Sequence, residues 1–193
     1  SMAVGKLSIA GAGCSIINFV ATSSTVYDFD VTGCNDGVTA TVTLAQNAGT
    51  DVAGNIGPAS SVQAATIIDA TAPTVVTWSN SQAALTNATT LTYTLTFSEA
   101  VSGLVASDFA LTGCSATPNI TTANNITFTV TLTGCTSGST VSVRLYTPSS
   151  LVTDQAGNSG FAEIGANAIS RTLDYEAPQV SWGSNPPSPT KAN

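Results

Sequence analysis

Two stretches of the chain alternate apolar and polar residues without a slip. Residues 90–97 read TLTYTLTF, which sets Leu91, Tyr93, Leu95 and Phe97 on one face and threonines on the other. Residues 125–133 read NITFTVTLT and do the same with Ile126, Phe128, Val130 and Leu132. A period of two, carried by β-branched and aromatic residues, is the pattern of an antiparallel strand buried on one face. Weaker strand patterns cover 74–78, 108–113, 117–122, 139–147 and 166–173. No segment shows a convincing helical apolar period. The chain therefore predicts an all-β fold built from short strands, punctuated by Gly, Pro, Asn and Ser.

These strands belong to an internal repeat. DATAPTVVTW at 69–78 returns as DYEAPQVSW at 174–182, and GTDVAGN at 49–55 returns as VTDQAGN at 152–158. VTGCN at 31–35 matches LTGCT at 132–136, and Ala12-Gly13-Cys14-Ser15 matches Thr112-Gly113-Cys114-Ser115. The period of roughly 100 residues is that of one immunoglobulin-like antiparallel β-sandwich, not of a solenoid repeat. The frame divides the chain into a partial repeat over 3–69 that lacks its first strands, a complete repeat over 70–173, and a linker with the first strand of a third repeat over 174–193. Ser1-Met2 reads as a remnant of tag cleavage and stands outside the fold.

The order of several short signatures resembles the bacterial Ig-like repeats of long surface adhesins and biofilm-associated proteins. They are Phe97-Ser98-Glu99, Val101, Gly103-Leu104, Asp108-Phe109, Thr112-Gly113, Thr153-Asp154, Ala156-Gly157-Asn158, and Asp174 followed by Ala177-Pro178. The resemblance covers nearly the whole chain and implies extracellular stalk or adhesive repeats, some with calcium at domain junctions. Paired cysteines are not a general feature of such repeats.

Composition narrows the function classes. Only 8% of the 193 residues are charged, against about 25% in an ordinary chain. Four Lys and Arg against eleven Asp and Glu leave −7 and no basic patch for nucleic acid or anionic lipid. No stretch approaches the ~18 apolar residues of a membrane span. Histidine is absent, so Ser-His-Asp, Cys-His and His-based zinc sites are excluded. The expectation is a non-enzyme.

Two candidate sites remain. The cysteines fall as Cys14 with Cys34 and Cys114 with Cys135, each member just past a strand that ends at the same end of the sandwich. A disulfide within each repeat is expected, adding about 3 kcal/mol on the chain-entropy model and implying an oxidising compartment. A shared zinc site would need cysteines a whole domain apart, and free buried thiols are the other alternative. Acids are scarce, and the strand order sets Asp69, Glu99, Asp154 and Asn158 at one end. These are candidate ligands for calcium, which takes several carboxylate and carbonyl oxygens. The same Asp154-Gln-Ala-Gly-Asn158 sequence is equally what a tight turn requires.

Other features carry less. Thr92, Thr94 and Thr96, with Thr127, Thr129 and Thr131, form ladders that suggest a flat ligand but also suit an ordinary solvent face. Trp78 and Trp182 occupy equivalent first-strand positions, which favours packing over a sugar platform. Asn87, Asn119 and Asn125 match the glycosylation acceptor pattern, as an Asn- and Thr-rich chain does by chance. The partial repeat exposes a strand edge, so it either packs on the full repeat or accepts a strand from another copy, with Ala177–Trp182 as candidate donor. The leading reading is a stalk or adhesive repeat at the cell surface, in contact with neighbouring repeats and an unknown surface ligand. Alternatives are a carbohydrate-binding module of a secreted polysaccharide-degrading enzyme, and a filament or surface-layer subunit joined by strand exchange.

Overall fold

A computed structural model describes Met2, 4–146, 152–160, 168–181 and Gly183. It contains two compact units, Ser1–Pro73 with Thr153–Ser159, and Thr74–Val152 with Gly160–Asn193. Trp182 lies outside the described residues, as do parts of the 139–147 and 166–173 strand expectations.

The first unit contains β1 (Leu7–Ala10), β2 (Ser15–Ala21), β3 (Tyr27–Thr32), β4 (Thr39–Leu44), β5 (Gly49–Thr50), β6 (Ile56–Gly57) and β7 (Val62–Ile67). Strands β1-β4-β7 form one antiparallel sheet, β2-β3 a second, and β5-β6 a short hairpin. Strand β3 alternates Tyr27, Phe29 and Val31 against Asp28, Asp30 and Thr32, and β4 alternates Ala40, Val42 and Leu44 against threonines. Despite that patterning the interior is thin. Among the described residues of this unit, the buried apolar ones are Ala40, Ala48 and Pro73.

The second unit contains β8 (Val75–Asn80), β9 (Leu85–Thr86), β10 (Thr90–Phe97), β11 (Phe109–Thr112), β12 (Asn119–Thr122), β13 (Thr127–Thr133), β14 (Thr140–Leu145) and β15 (Ile169–Leu173). One sheet is ordered β12-β13-β10-β8 and the other β11-β14-β15-β9, antiparallel except for the β15-β9 pair. This is a β-sandwich, and its core is the two perfect alternations facing the second sheet. Leu91, Tyr93, Leu95 and Phe97 of β10 and Val130 and Leu132 of β13 are all at most 1% exposed. Val141, Val143 and Leu145 of β14 close on them from the other sheet. Trp78 stacks on Tyr93 at 5.1 Å, and Phe128 meets Phe97 edge-on at 5.8 Å. Each such side chain contributes about 1.5–3 kcal/mol by leaving water.

Local chemistry sets the strand boundaries. Pro118 has no N–H to give a ladder, so β12 begins at Asn119, not Thr117. Asp108 ends a short 3-10 turn instead of opening β11. Its buried carboxylate accepts the Val105 N–H at 2.8 Å, and the Tyr146 N–H bonds its carbonyl. Strand β9 has only two residues and no pattern of its own. It exists because Ala84 and Thr86 carbonyls accept N–H groups from Thr172 and Asp174 at 2.7 and 2.9 Å.

Candidate functional site

The four cysteines are aimed by the residue before each. Gly13, Gly33, Gly113 and Gly134 all have φ between 74° and 77°, a left-handed conformation that costs glycine nothing. Gly33, Gly113 and Gly134 directly follow the last residues of β3, β11 and β13, and Gly13 lies in the turn between β1 and β2, so each sets the direction of the cysteine after it. Cys14 is joined to Cys34 (S–S 2.05 Å) and Cys114 to Cys135 (2.07 Å). No free cysteine remains among the described residues. Space is as restrictive as φ at Gly113, where a Cβ would collide with the Thr140 carbonyl.

The two acidic turns are built alike. Asn55 donates its N–H to Asp51 Oδ1 and its Nδ2 to Asp51 Oδ2, both at 2.8 Å. Asn158 repeats this on Asp154 at 2.9 and 2.8 Å, with a further N–H from Gly157 at 2.7 Å. In the first turn, the Asn55 side chain and N–H, with smaller help from Ala53 and Gly54, hold the Asp51 carboxyl below its ordinary value. In the second, burial pushes the Asp154 carboxyl up. The Asn158 amide and the N–H groups of Asn158, Gly157 and Ala156 outweigh it together, leaving a net lowering.

Within the first unit, Asn158 Nδ2 also donates to the Asp69 carbonyl at 3.0 Å. A carboxylate oxygen of Asp69 lies within 4.8 Å of one of Asp154. Three of the four acidic-site residues expected from sequence are thus together, with Asp154 buried and Asp69 exposed. Glu99 belongs to the second unit, where it is half-buried just after β10. The available ligands are all hard oxygens, which suits calcium and excludes soft-metal chemistry.

Residues 69–171, rather more than half of the chain, match the bacterial Ig-like domain family. The chain belongs to that family. Neither a curated protein nor a solved structure matches it. Bacterial Ig-like domains are typically non-catalytic and are often carried by extracellular proteins. Among the described residues no helix is long and apolar enough to cross a membrane.

A second pair of equivalent contacts fastens the segment that follows β7 in the first unit and β15 in the second. In the first unit Asp36 accepts the Ala70 N–H and the Thr71 hydroxyl, each at 2.6 Å. These two bonds hold its carboxyl below the ordinary range. In the second unit Ser137, the counterpart of Asp36, accepts the Tyr175 N–H at 3.2 Å. The Tyr175 hydroxyl reaches back to the Ser137 N–H at 3.0 Å and the Cys135 carbonyl at 3.1 Å. Sequence reading passed over Asp36 and Tyr175. The usable signal was that Asp36 follows a Gly-Cys pair inside the repeat unit, and Ser137 holds the same place in the next.

The remaining expectations have structural places. Trp78 and Tyr93 stack in the core, and neither the Trp78 Nε1 nor the Tyr93 hydroxyl has a hydrogen-bond partner among the described residues. Burial pushes the Tyr93 hydroxyl up to about 12, with Arg171 pulling the other way. The threonines of β10 and β13 stand opposite one another, Thr92 with Thr131, Thr94 with Thr129 and Thr96 with Thr127.

Proposed function

We propose that this chain is a non-catalytic stalk segment of a secreted bacterial cell-surface protein, repeated in tandem to hold an adhesive end away from the cell. The observation that supports it is the linker fastening. Both Ig-like units tie their outgoing chain down through the same position, Asp36 in one and Ser137 in the other. A spacer needs a fixed exit direction, whereas a single binding module does not. Two intra-unit disulfides fit an oxidising, extracellular setting.

Calcium hardens the stalk in this reading, held by Asp69, Asp154 and Asn158. Glu99 is the further carboxylate that the sequence contributes to the set, and Glu99→Gln is the variant that reads its part. Melting with about 1 mM calcium and then with excess chelator tests the ion; a calcium-dependent rise in Tm that Asp154→Asn removes supports it. An unchanged Tm sinks the calcium part alone.

The spacer role is tested by displaying the protein on a bacterium between an anchor and a binding head of known specificity. Adherence through the head rises over a head with no insert, and the protein alone shows no saturable binding on a glycan array. Saturable glycan binding would replace the spacer with a carbohydrate-binding accessory module. Unchanged adherence would remove it.

A further inference from the structure

The loop that fastens the segment after β15 is anchored in the second sandwich at one point. Between Leu132 of β13 and Val141 of β14, Cys135 is the only buried residue. Gly134 and Gly138 have open space around them, so neither flank of the loop is wedged against a neighbour. The same loop holds the segment. The Gly138 N–H donates to the Leu173 carbonyl at 2.7 Å, and the Ser139 carbonyl accepts the Leu173 N–H at 3.0 Å. Ser137 Oγ accepts the Tyr175 N–H, and the Cys135 carbonyl accepts the Tyr175 hydroxyl. The half-cystine that anchors the loop is therefore also one of the groups that grip the segment.

The other half of the bond is its reachable end. Cys114 is half-buried, whereas Cys135 is 5% exposed. Cys114 lines a groove of about 500 Å³ together with Phe109, Leu111, Ala116 and Pro118, and Cys135 does not. Thiol–disulfide exchange begins at the sulfur that an incoming thiolate can approach. The Ala116 N–H reaches Cys114 Sγ at 3.4 Å, and a hydrogen bond to sulfur favours the thiolate.

We propose that the Cys114–Cys135 bond is an exchangeable fastener, opened by a small dithiol that enters this groove. A thiolate of the dithiol attacks Cys114 Sγ and forms a mixed disulfide. The Cys114–Cys135 bond breaks, and Cys135 leaves with the electron pair and takes up a proton. The second thiol then attacks the dithiol's own sulfur, and Cys114 leaves as the thiolate that the Ala116 N–H stabilises. The dithiol ends as a disulfide and the cystine as two thiols. With its anchor cut, the loop over 134–139 slackens and lets go of Leu173 and Tyr175. The core stays closed, because the side chains of β10, β13 and β14 pack on one another. The inference rests on the segment fastening that supports the spacer reading, but its readouts are local and do not involve adherence, so either can fail without the other.

The test uses the full chain. Brief treatment with glutathione, quenched in acid and mapped by mass spectrometry, is expected to leave the mixed disulfide on Cys114. A mixed disulfide on Cys135, or none on either, would overturn the proposed route. Hydrogen exchange by NMR then compares the oxidised chain with the Cys114→Ala, Cys135→Ala double variant. The amides of Leu173 and Tyr175, which bond the loop, should exchange about fivefold faster in the variant. Those of Thr172 and Asp174, which bond Ala84 and Thr86 instead, should keep their rates, as should those of β10. The chain reduced with dithiothreitol should show the same pattern at these residues. Unchanged Leu173 and Tyr175 amides, or faster exchange spread through β10, would each overturn the inference. Tyr175→Phe in the oxidised chain should speed exchange at Ser137, whose N–H bonds that hydroxyl, and leave Leu173 slow. A freed Leu173 in that variant would make the hydroxyl the fastener and sink the role of the disulfide.

Discussion

Val42 and Val143 sit at the same place in equivalent strands, each two residues before a leucine. Val143 is fully buried, whereas Val42 is half-exposed. Their neighbours follow suit, Leu145 at 1% against a half-buried Leu44. Local sequence is not what separates them. In the second unit β10 lays Leu91, Tyr93, Leu95 and Phe97 across the gap between the sheets, and in the first no described strand does. An amphipathic strand supplies half of a core, and its burial depends on a partner strand in the facing position.

The strongest way to break this comparison is to remove the partner's side chains where it exists. Leu95→Ala is expected to cost about 3–5 kcal/mol in urea unfolding followed by Trp78 fluorescence, because a sealed core cannot collapse onto the cavity. Phe29→Ala in the first unit should cost less than about 1.5 kcal/mol, since its ring is only partly buried. Equal costs would refute the account of a thin first core.

Disulfides sharpen the comparison next. The two loops span 20 and 21 residues, so each crosslink restricts the unfolded chain equally, by about 3 kcal/mol. Cys114→Ala with Cys135→Ala should lower the second transition and leave that unit folded. Cys14→Ala with Cys34→Ala should leave the first unit unfolded at 25 °C, read by its tyrosine circular dichroism.

Gly113→Ala is a smaller probe, about 1–3 kcal/mol, because the new Cβ meets both a positive φ and the Thr140 carbonyl. Gly138→Ala has a similar φ with open space around it, so it should cost roughly 1 kcal/mol.

The smallest effect is that of acid. Asp51 and Asp154 both have carboxyls held below the ordinary 3.8. A lowered carboxyl stabilises the fold above that value, and the stabilisation is lost as pH falls through the folded pKa. Tm measured downward from neutral should therefore stay level and then drop below about pH 4. Asp51→Asn and Asp154→Asn should each flatten part of that drop. A decline beginning near pH 6 has the same sign but starts too far above the ordinary carboxylate range to come from these groups.

Much of this was legible beforehand because the alternations at 90–97 and 125–133 leave no other face for Tyr93 or Val130 to occupy. The Gly-Cys pairs were equally readable, since the repeat puts each cysteine at a strand end. Strand β9 was not, because two residues have no period and it forms through carbonyls that any sequence supplies. Asp36 and Tyr175 escaped for a related reason. Apart from the Thr71 hydroxyl, the Asp36 carboxylate and the Tyr175 hydroxyl bond backbone atoms 34 to 40 residues away, and a backbone group carries no sequence signature. The thin first core was invisible in β3 and β4 themselves, whose patterning is as regular as that of β13 and β14.

The parallel joining of β9 to β15 has a mechanical meaning. Tension that enters along the beginning of the second sandwich and leaves along its end pulls these strands past one another. The bonds from Thr172 to Ala84 and from Asp174 to Thr86 then stretch together and must fail together, instead of opening one after another like a zipper.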